Sequence, residues 1–325
     1  MPEPLPDKLG KYAITRLLGR GAMGVVYEGV DRNIERPVAI KTIHRNLLDG
    51  DGGQELLARF KREAQAAGRL MHQNIVAIYE YGEADGLPFI AMEFVQGKTL
   101  KTCIDEESRF ELSRILEIMT QTLSAMAYVH AAGVVHRDMK PANIILMANG
   151  QVKLADFGIA RVQDSSMTQT GAVMGTPGYM SPEQFMGQHV DKRADLFSIG
   201  VILYQLLTGE KPFPGSSANA IMQRVLNAPV DPPTTLNLDL PEPFNAVLKK
   251  ALAKPPRERF QSAEDFLQAI QLAAEDKYAP SLQPLAAQTE DLDATLVVNK
   301  TDKAKETFVT ILETAYELAP DGAIP

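Results

Sequence analysis

The sequence is poor in cysteine and has no long uninterrupted hydrophobic stretch. The chain contains a single cysteine, Cys103, which excludes a disulfide framework within the chain and a zinc site built on cysteine clusters. The longest apolar run, Ile199 to Leu207, is broken by Gly200 and Gln205 and is far shorter than the roughly 18 to 20 residues that a membrane span requires. We therefore expect no membrane span in this chain, and any bound metal must have oxygen ligands.

Two further absences concern location and partners. The first residues contain neither a basic segment nor an apolar stretch typical of export signals, so we expect a cytoplasmic protein. Lys and Arg number 33 against 41 Asp and Glu, a net charge of −8, and no basic block is interleaved with aromatic residues. Because nucleic-acid surfaces are usually basic, this balance argues against a nucleic-acid partner, and any phosphate site must be local.

Hydrophobic patterning divides the chain into two lobes and a tail. The 325 residues are 45% apolar and 23% charged, as in a globular protein of one large or two ordinary domains. We expect an α+β fold with a proline-rich leader (1–11), a small β-rich lobe with one major helix (about 12–95) and a larger helical lobe (about 98–274). Residues 275–325 hold 10 acidic and 4 basic residues and are expected to form an acidic, partly disordered tail with a helix at 303–318.

Alternating and helical periodicities predict individual elements within these lobes. Three strands are expected between Tyr12 and Arg45, and helices over 55–70 and 112–132, with Ser113 as the N-cap of the second helix. Further short strands are expected at 75–81, 88–94, 144–146 and 152–154. The lobes should meet near residues 96–98, and a cleft between lobes is a favoured ligand site.

A glycine-rich segment lies between two strand-like stretches, with the sequence Gly19-Arg-Gly21-Ala-Met-Gly24-Val-Val26. Glycines permit tight turns and let backbone N–H groups approach a polyphosphate closely. Taken alone, the segment is a weak signal and is better explained by a glycine-rich hairpin without a ligand. A dinucleotide-binding motif would need a helix directly after the glycines, whereas the residues after Gly24 continue a strand.

Lys41 ends an otherwise apolar strand, Val38-Ala39-Ile40-Lys41. An ammonium there is costly unless an anion meets it, and Glu63 on the flank of the following helix is a candidate partner that would hold it toward phosphates. A surface lysine on an edge strand and a solvated glutamate are the simpler interpretations of each residue alone.

Two polar segments follow at a fixed spacing: His136-Arg137-Asp138-Met-Lys140-Pro-Ala-Asn143 and Asp156-Phe157-Gly158. The hairpin predicted between them brings Asn143 and Asp156 together, and their oxygens are hard ligands suited to magnesium. Asp138 is a candidate acceptor of a hydroxyl proton, and Lys140 can neutralise charge on a transferring phosphoryl group. Each residue alone is an ordinary loop residue, but the joint spacing is poorly explained by chance.

These segments, in this order, resemble the signature set of protein kinases. The resemblance covers about residues 12–272 and includes Gly19–Val26, Val38–Lys41, Glu63, His136–Asn143, 156–158 and Ser181-Pro-Glu183. It implies a bilobal fold that binds ATP between the lobes, with magnesium, or alternatively manganese, as the metal. Lys41 would pair with Glu63, and Asp138 would be the catalytic base. Asn143 and Asp156 would bind the metal.

The same resemblance assigns a nucleotide-binding set to the hinge between the lobes. The stretch Ala91-Met-Glu-Phe-Val95 is similar to the adenine-binding segment, which implies Met92 as gatekeeper and backbone hydrogen bonds from Glu93 and Val95. The remaining residues of this set would enclose the nucleotide: Leu18, Gly19, Gly21, Gly24, Val26, Ala39, Lys41 and Ile145. Plain core packing explains the apolar members equally well.

Several features resemble serine/threonine kinases, in particular Lys140 and Pro141 after the catalytic aspartate. Residues 175–179 resemble the segment that positions the substrate, where Thr176 would hydrogen-bond Asp138 and Lys140. Ser181 replaces the commoner alanine, a small-for-small change. The resemblance also implies two structural roles, a Glu183 to Arg259 pair and an Asp195 carboxylate that braces the catalytic loop.

The stretch from Gln163 to residue 175 lies where kinases place their activation loop and contains Thr168 and Thr170. Arg137 resembles the arginine that captures activation-loop phosphate, since its guanidinium can donate two charge-assisted hydrogen bonds. We therefore expect autophosphorylation at Thr168 and Thr170 to order this loop. Hydroxyls that only solvate a mobile loop are the competing interpretation.

Details of the motifs resemble bacterial eukaryotic-like (Hanks-type) serine/threonine protein kinases. Many of these carry a membrane span after the kinase domain, so the cytoplasmic expectation holds unless this sequence is part of a longer, anchored chain. Thr295, preceded by acidic residues, resembles tail sites that, once phosphorylated, bind phosphothreonine-reading forkhead-associated domains, although a solvated linker is the simpler interpretation of a single threonine in a polar tail. The resemblance also allows a homodimer through the small lobe.

The sequence therefore predicts an ATP-dependent enzyme of bacterial signalling that transfers the γ-phosphoryl group to Ser and Thr hydroxyls of protein substrates. The main alternative is a pseudokinase, a scaffold that binds nucleotide without transfer. Such proteins usually lose one of four residues that this chain retains: Lys41, Asp138, Asn143 and Asp156. A small-molecule kinase is a third alternative, and it would need a substrate pocket in place of residues 175–183.

Overall fold

The computed structural model describes residues 5–21, 24–50, 52–106, 109–157 and 176–278. In these residues a six-stranded antiparallel sheet with one long helix precedes a larger, mainly helical lobe. This arrangement confirms the predicted bilobal α+β fold. The leader residues 1–4 and the tail from 279 onward, including the helix expected at 303–318 and Thr295, lie outside the described residues. Among the helices described, none has the length and hydropathy that a bilayer crossing requires.

The small lobe is built on one twisted sheet. Its strands lie in the order β1-β2-β3-β4-β6-β5, and they are β1 (Lys8–Leu9), β2 (Tyr12–Arg20), β3 (Gly24–Asp31), β4 (Arg36–Ile43), β5 (Ile78–Ala84) and β6 (Leu87–Glu93). Helices α1 (Arg45–Leu48) and α2 (Gly53–Ala67) follow β4. The face of α2 that carries Phe60, Ala64 and Ala67 is buried, as expected of an amphipathic helix packed on a sheet. Glu63 lies on the same buried face.

Two predicted boundaries in this lobe are wrong for identifiable reasons. The strand expected at 75–81 begins only at Ile78, because the preceding backbone pairs with another strand segment: Leu154 N–H donates to Asn74 O at 2.8 Å, and Val76 N–H donates to Leu154 O at 2.9 Å. Helix α2 ends at Ala67 and not at Leu70. Leu70 is buried although it lies beyond the helix, so the hydrophobic periodicity in the sequence continued past the true helix end.

The larger lobe begins with a small sheet and continues with helices. The sheet contains β7 (Gly97–Thr99), β8 (Ile144–Met147) and β9 (Val152–Leu154). The helices are α3 (Leu100–Glu106), α4 (Leu112–Ala131), α5 (Pro182–Phe185), α6 (Lys192–Thr208), α7 (Ala218–Asn227), α8 (Pro243–Ala251) and α9 (Ala263–Tyr278). Helix α6 is buried almost all round, the pattern of a helix at the centre of a core. Asp191 caps it by accepting a hydrogen bond from the N–H of Arg193 at 2.9 Å.

The predicted N-cap of α4 is also wrong. The capping position is Glu111, which is extended, and Ser113 lies inside the first turn of the helix. Periodicity identified the buried face of this helix, but several neighbouring polar residues were compatible with its start. The predicted hairpin between β8 and β9 is present, with Gly150 at its turn in the left-handed region (φ +85°).

One charged group in this lobe is held at a free-energy cost. The Lys254 ammonium lies 3.8 Å from the centroid of the Phe213 ring, and its buried Nζ has no hydrogen-bond partner among the described residues. Burial and, secondarily, the Arg259 guanidinium lower the pKa of Lys254 to about 8 from the ordinary 10.5. Below pH 8 both the folded and the unfolded chain carry the proton. Between pH 8 and 10.5 only the unfolded chain retains it, so this group's contribution to stability rises with pH.

We therefore expect wild-type protein to gain about 1 kcal/mol of unfolding free energy relative to Lys254→Met between pH 7.5 and 10, after allowance for solvent screening of this half-buried group. Urea denaturation of both proteins across this pH range measures the difference between their unfolding free energies. Titration of all other groups contributes equally to both proteins and therefore cancels in this difference. A difference that does not change with pH would show that the ammonium is not destabilised by its surroundings.

Candidate active site

The centre of the cleft is a lysine held between two carboxylates. Lys41 on β4 places Nζ 3.0 Å from Glu63 Oε1 on α2 and 2.9 Å from Asp156 Oδ1, which follows β9. The strand, the helix and the loop after the hairpin therefore meet at one ammonium group. The structure brings these three residues together across the two lobes.

Burial and neighbouring charges shift the pKa values of all three side chains. Burial would lower the pKa of Lys41, but the carboxylates of Asp156 and Glu63 outweigh burial and raise it. The Lys41 ammonium lowers the pKa of Asp156. Burial raises the pKa of Glu63, and Lys41 opposes that effect. Lys41 is therefore charged at neutral pH, and Asp156 is an anion facing the cleft.

A second cluster lies on the loop that connects α4 to β8. Lys140 Nζ is 2.6 Å from Asp138 Oδ2, and Asn143 donates from Nδ2 to the Asp138 backbone carbonyl at 2.8 Å. A one-turn 3₁₀ helix, Pro141–Asn143, places Asn143 there, with Pro141 at its first position. The carboxylate, the ammonium and the amide therefore share one small volume.

This loop is braced by Asp195 from the buried helix α6. One Asp195 oxygen accepts the N–H of His136 at 2.9 Å and the other accepts the N–H of Arg137 at 2.7 Å. Arg137 has φ +65°, an uncommon conformation for a residue with a side chain. The predicted bracing role of Asp195 agrees with these bonds, which hold the strained backbone next to Asp138.

His136 lies in the core and has a structural role. Its ring is fully buried and packs against Phe157 at a tilt of 36°, with 4.7 Å between ring centroids, and burial lowers its pKa. The Asp138 N–H lies 3.3 Å from Nδ1, and Nε2 lies 3.3 Å from the Ala155 carbonyl oxygen. This pairing matches a neutral ring protonated at Nε2.

The two residues expected to bind metal are adjacent across the β8–β9 hairpin. Asn143 O accepts the N–H of Ala155 at 2.9 Å, and Asn143 Nδ2 lies 3.5 Å from the Asp156 carbonyl oxygen. Because its amide nitrogen donates to Asp138 and lies near the Asp156 carbonyl, Asn143 retains Oδ1 as an acceptor. Hard oxygen donors of this kind fit a small divalent cation. Asp156 has φ +54°, a second strained backbone position in the cleft.

The described glycines of the glycine-rich segment lie at the end of β2 and the start of β3, and they serve different purposes. A Cβ on Gly24 would lie 1.7 Å from the Thr42 carbonyl oxygen, so Gly24 is required by the close approach of β4. A Cβ on Gly19 would meet nothing within 4 Å, and on Gly21 only a backbone oxygen at 3.9 Å. The space beside Gly19 and Gly21 is therefore open to a ligand. His44 Nε2 lies 3.0 Å from Gly21 O and tethers this turn.

The apolar residues expected around adenine belong to one cluster. Sheet register pairs Val26 with Lys41 and Ala39 with Met92. Met92 and Ala39 are buried, and further members pack against them: Val26, Val95 and Ile145. Leu18 and Gly19 lie on β2, where Leu18 is partly exposed. The cluster spans both lobes and borders Lys41.

The side chain of Glu93 contacts Lys153 on β9. The two charged groups are 2.8 Å apart, and Glu93 Oε2 also accepts the N–H of Ala77 at 3.2 Å. Lys153 is almost fully buried. This ion pair ties the end of β6 to the strand that leads into Asp156. Lys153 was not predicted from the sequence, although a lysine within a short apolar strand was a signal for it.

The residues expected to position the substrate lie around the Asp138 carboxylate. Thr176, Tyr179 and Gln184 line one pocket together with Asp138 and Lys140. Ser181 and Gln184 form a capping box at the start of α5, and Gln184 Nε2 donates to Arg137 O at 2.8 Å. Gln184 was also missed, and the Ser-x-x-Gln spacing was the signal. Nothing in the sequence marked His44.

The predicted regulatory residues are only partly described. Arg137 Nε is buried and has no hydrogen-bond partner among the described residues. Thr168 and Thr170 lie in the stretch 158–175, outside those residues, so the structure does not test their relation to Arg137.

The predicted Glu183 to Arg259 pair is present and fully buried. The guanidinium binds the carboxylate through two parallel bonds of 2.7 Å. Its remaining N–H groups donate to the carbonyls of Ala253, Lys254 and Arg193 at 2.8, 2.7 and 3.2 Å. Every donor of Arg259 is thus used, and the pair fixes α5, next to the substrate loop, against the end of α8.

Comparison with known proteins agrees with this geometry. Residues 12–270 match the family model described as "Protein kinase domain". A probable serine/threonine-protein kinase of Streptomyces coelicolor is 43% identical over 268 residues, or 80% of this chain and 39% of the relative. The serine/threonine-protein kinase PrkC of Bacillus subtilis is 40% identical over 79% of this chain and 39% of its own length.

The serine/threonine-protein kinase PknB of Mycobacterium tuberculosis is 41% identical over 272 residues, or 81% of this chain and 42% of the relative. The chain thus spans about two fifths of the length of these curated relatives. Members of this family use ATP with a divalent metal and phosphorylate protein substrates. Because the family model matches most of the chain and several relatives are about 40% identical to it, the chain belongs to the protein kinase family.

Proposed function

We propose that this protein is a serine/threonine protein kinase that transfers the γ-phosphoryl group of ATP to Ser and Thr hydroxyls of protein substrates. One observation carries the proposal: the Lys41, Glu63 and Asp156 network and the Asp138, Lys140 cluster lie in one cleft, and Asn143 links them. Names of relatives that share about 40% identity support the hydroxyl specificity.

In the proposed reaction the substrate hydroxyl attacks the γ-phosphorus and the bond to the β-phosphate oxygen breaks, which leaves ADP. Asp138 accepts the hydroxyl proton, and Lys140, 2.6 Å from that carboxylate, offsets charge on the phosphoryl oxygens. Lys41 holds the α- and β-phosphates, with Glu63 fixing its position. Positioning and electrostatic stabilisation supply most of the rate enhancement in such a reaction.

Asn143 and Asp156 are the residues that would hold the metal, for which we propose magnesium, with manganese as a substitute. When bound, the cation neutralises phosphate charge. Within the described residues no cluster of three His, Cys, Asp or Glu side chains could form a metal cage. Phosphate oxygens and water would therefore complete the coordination sphere, as is common for magnesium.

We place adenine in the apolar cluster of Val26, Ala39, Met92, Val95 and Ile145, with backbone hydrogen bonds from Glu93 and Val95. Leu18 would cover the ring at the rim. The open space beside Gly19 and Gly21 is suited to phosphates, whereas Gly24 acts through the close packing of β3 and β4.

We further propose regulation through the loop that begins after Asp156. Phosphate on Thr168 or Thr170 would bind Arg137, whose buried Nε lacks a partner in the described part of the chain, and would order the loop. Thr176 would then position substrate beside Asp138 and Lys140. A cytoplasmic location, a homodimer through the small lobe and a forkhead-associated partner for phosphorylated Thr295 remain part of this proposal.

Lys41→Met is the direct test. We expect phosphoryl transfer to fall by about a hundredfold to a thousandfold, because a preorganised cation on the phosphates is lost, with only a modest effect on folding. Transfer from radiolabelled ATP with magnesium to a pool of Ser- and Thr-containing peptides, and separately to small-molecule alcohols, measures it.

Lys101→Met is the matched control, since it removes an exposed lysine that pairs with Asp105 on α3. Absence of transfer by wild-type protein would favour a nucleotide-binding scaffold. Transfer to small alcohols alone would favour a small-molecule kinase. Wild-type turnover in Lys41→Met would contradict the assignment of the cleft.

A further inference from the structure

A lysine lies along the backbone of the substrate loop. Lys211, in the loop after α6, packs on Gly178 in the 3₁₀ turn Pro177–Tyr179. A Cβ added to Gly178 would lie 3.5 Å from both Cδ and Nζ of Lys211. A side chain at 178 would therefore start in van der Waals contact with the lysine, so the identity of residue 178 bears directly on the Lys211 ammonium.

The charge of Lys211 is not balanced by a carboxylate within the described residues. Its Nζ lies 5.0 Å from the centroid of the Tyr179 ring, and no salt bridge joins it to a described acidic residue. The Tyr179 hydroxyl donates to the neutral Gln205 Oε1 at 2.6 Å. Burial raises the pKa of Tyr179 to about 12, so this phenol is uncharged at neutral pH. Asp105, the acidic residue that influences Tyr179 electrostatically, is paired with Lys101.

This ammonium lies over a residue that lines the Asp138 pocket. Tyr179, whose ring Lys211 covers, lines the pocket that contains Asp138 and Lys140. A substrate whose hydroxyl reaches Asp138 must therefore pass near residues 176–179 with its neighbouring side chains. An acidic side chain there would gain a favourable charge interaction, and a basic one would be repelled.

We propose that Lys211 selects substrates that carry an aspartate or glutamate within a few residues of the acceptor Ser or Thr. The proposal rests on the proposed kinase function and adds a substrate class to it. Gly178 contributes to this selection, because an acidic side chain at position 178 would itself pair with Lys211 and neutralise its charge.

The test compares peptides that differ at a single position. Acceptor peptides carry glutamate, glutamine or lysine at each of the three positions on either side of the Ser or Thr. For wild-type protein we expect kcat/KM at the best position to be about two- to fivefold higher for glutamate than for glutamine, the range for one partly exposed ion pair. The ratio should fall toward one at high salt, where the Debye length is only about 3 Å.

Lys211→Met should bring the glutamate to glutamine ratio to about one, and Lys211→Glu should make lysine peptides the preferred ones. Gly178→Glu should remove the preference while Lys211 stays in place, which separates substrate selection from a loss of packing on Tyr179. Lys250→Met is the matched control, since Lys250 makes a comparable contact with Phe260 at 4.9 Å on α8, and it should retain the wild-type ratio.

A wild-type ratio of one at every position, or an unchanged ratio in Lys211→Met, would overturn the proposal while leaving the kinase assignment intact. Absence of transfer to any peptide would instead overturn the proposed function, and this inference with it.

Discussion

Asp138→Asn is expected to lower the rate of phosphoryl transfer by about a hundredfold to ten-thousandfold, the range for loss of a positioned proton acceptor. Asparagine has nearly the same shape, so the hydrogen bond from Asn143 to the backbone at 138 is retained. The change therefore removes the proton acceptor and the charge that faces Lys140 at 2.6 Å, with little disturbance of the loop.

Two measurements separate chemistry from binding. Single-turnover transfer from radiolabelled ATP should show the loss, whereas nucleotide affinity, measured by titration calorimetry, should change little, since Asp138 is not among the residues assigned to the nucleotide. Glu117→Gln is the matched carboxylate-to-amide control, because Glu117 forms only an exposed ion pair with Arg114 on α4. A loss smaller than about tenfold would exclude Asp138 as the base.

Glu183→Ala is expected to cost about 3 to 5 kcal/mol of unfolding free energy, because it leaves a fully buried guanidinium without its carboxylate. For a domain of this size such a loss lowers the unfolding midpoint by roughly 10 °C. The exposed pair between Arg16 and Glu28 is the contrast: Glu28→Ala should cost less than about 1 kcal/mol.

Calorimetric or fluorescence-detected thermal unfolding measures both effects. The double variant Glu183→Leu with Arg259→Met should recover much of the stability lost in Glu183→Ala, since no buried charge remains unpaired. If the double variant were as unstable as the sum of the two single changes, hydrogen bonds from Arg259 to the three backbone carbonyls would be the larger contribution.

The sequence predicted the bilobal fold because the motif residues carry chemistry that ordinary core packing does not need. Lys41 in an apolar strand required an anion, and Asn143 and Asp156 flank a hairpin short enough to bring them together. Each of these polar residues stands out from its sequence surroundings. The short separation of Asn143 and Asp156 along the chain also limits how far apart the two residues can lie in the fold.

Contacts made by ordinary residues across long sequence separations were not predictable. Gly24 looked like a phosphate-binding glycine, yet its role is set by the Thr42 carbonyl on the next strand. Lys153 meets Glu93 from 60 residues away, and Lys211 meets Gly178 only because two loops of the larger lobe converge. These contacts depend on tertiary packing, which periodicity and local spacing do not encode.

Asp195 connects the core of the larger lobe to the loop that carries Asp138. Its carboxylate reaches from a helix with almost no solvent contact to the two peptide groups just before Asp138. A small displacement of that helix would therefore be transmitted to Asp138, the proposed proton acceptor, through these two hydrogen bonds. Substitutions in the hydrophobic core around this helix should therefore impair function, as should substitutions of residues that line the cleft.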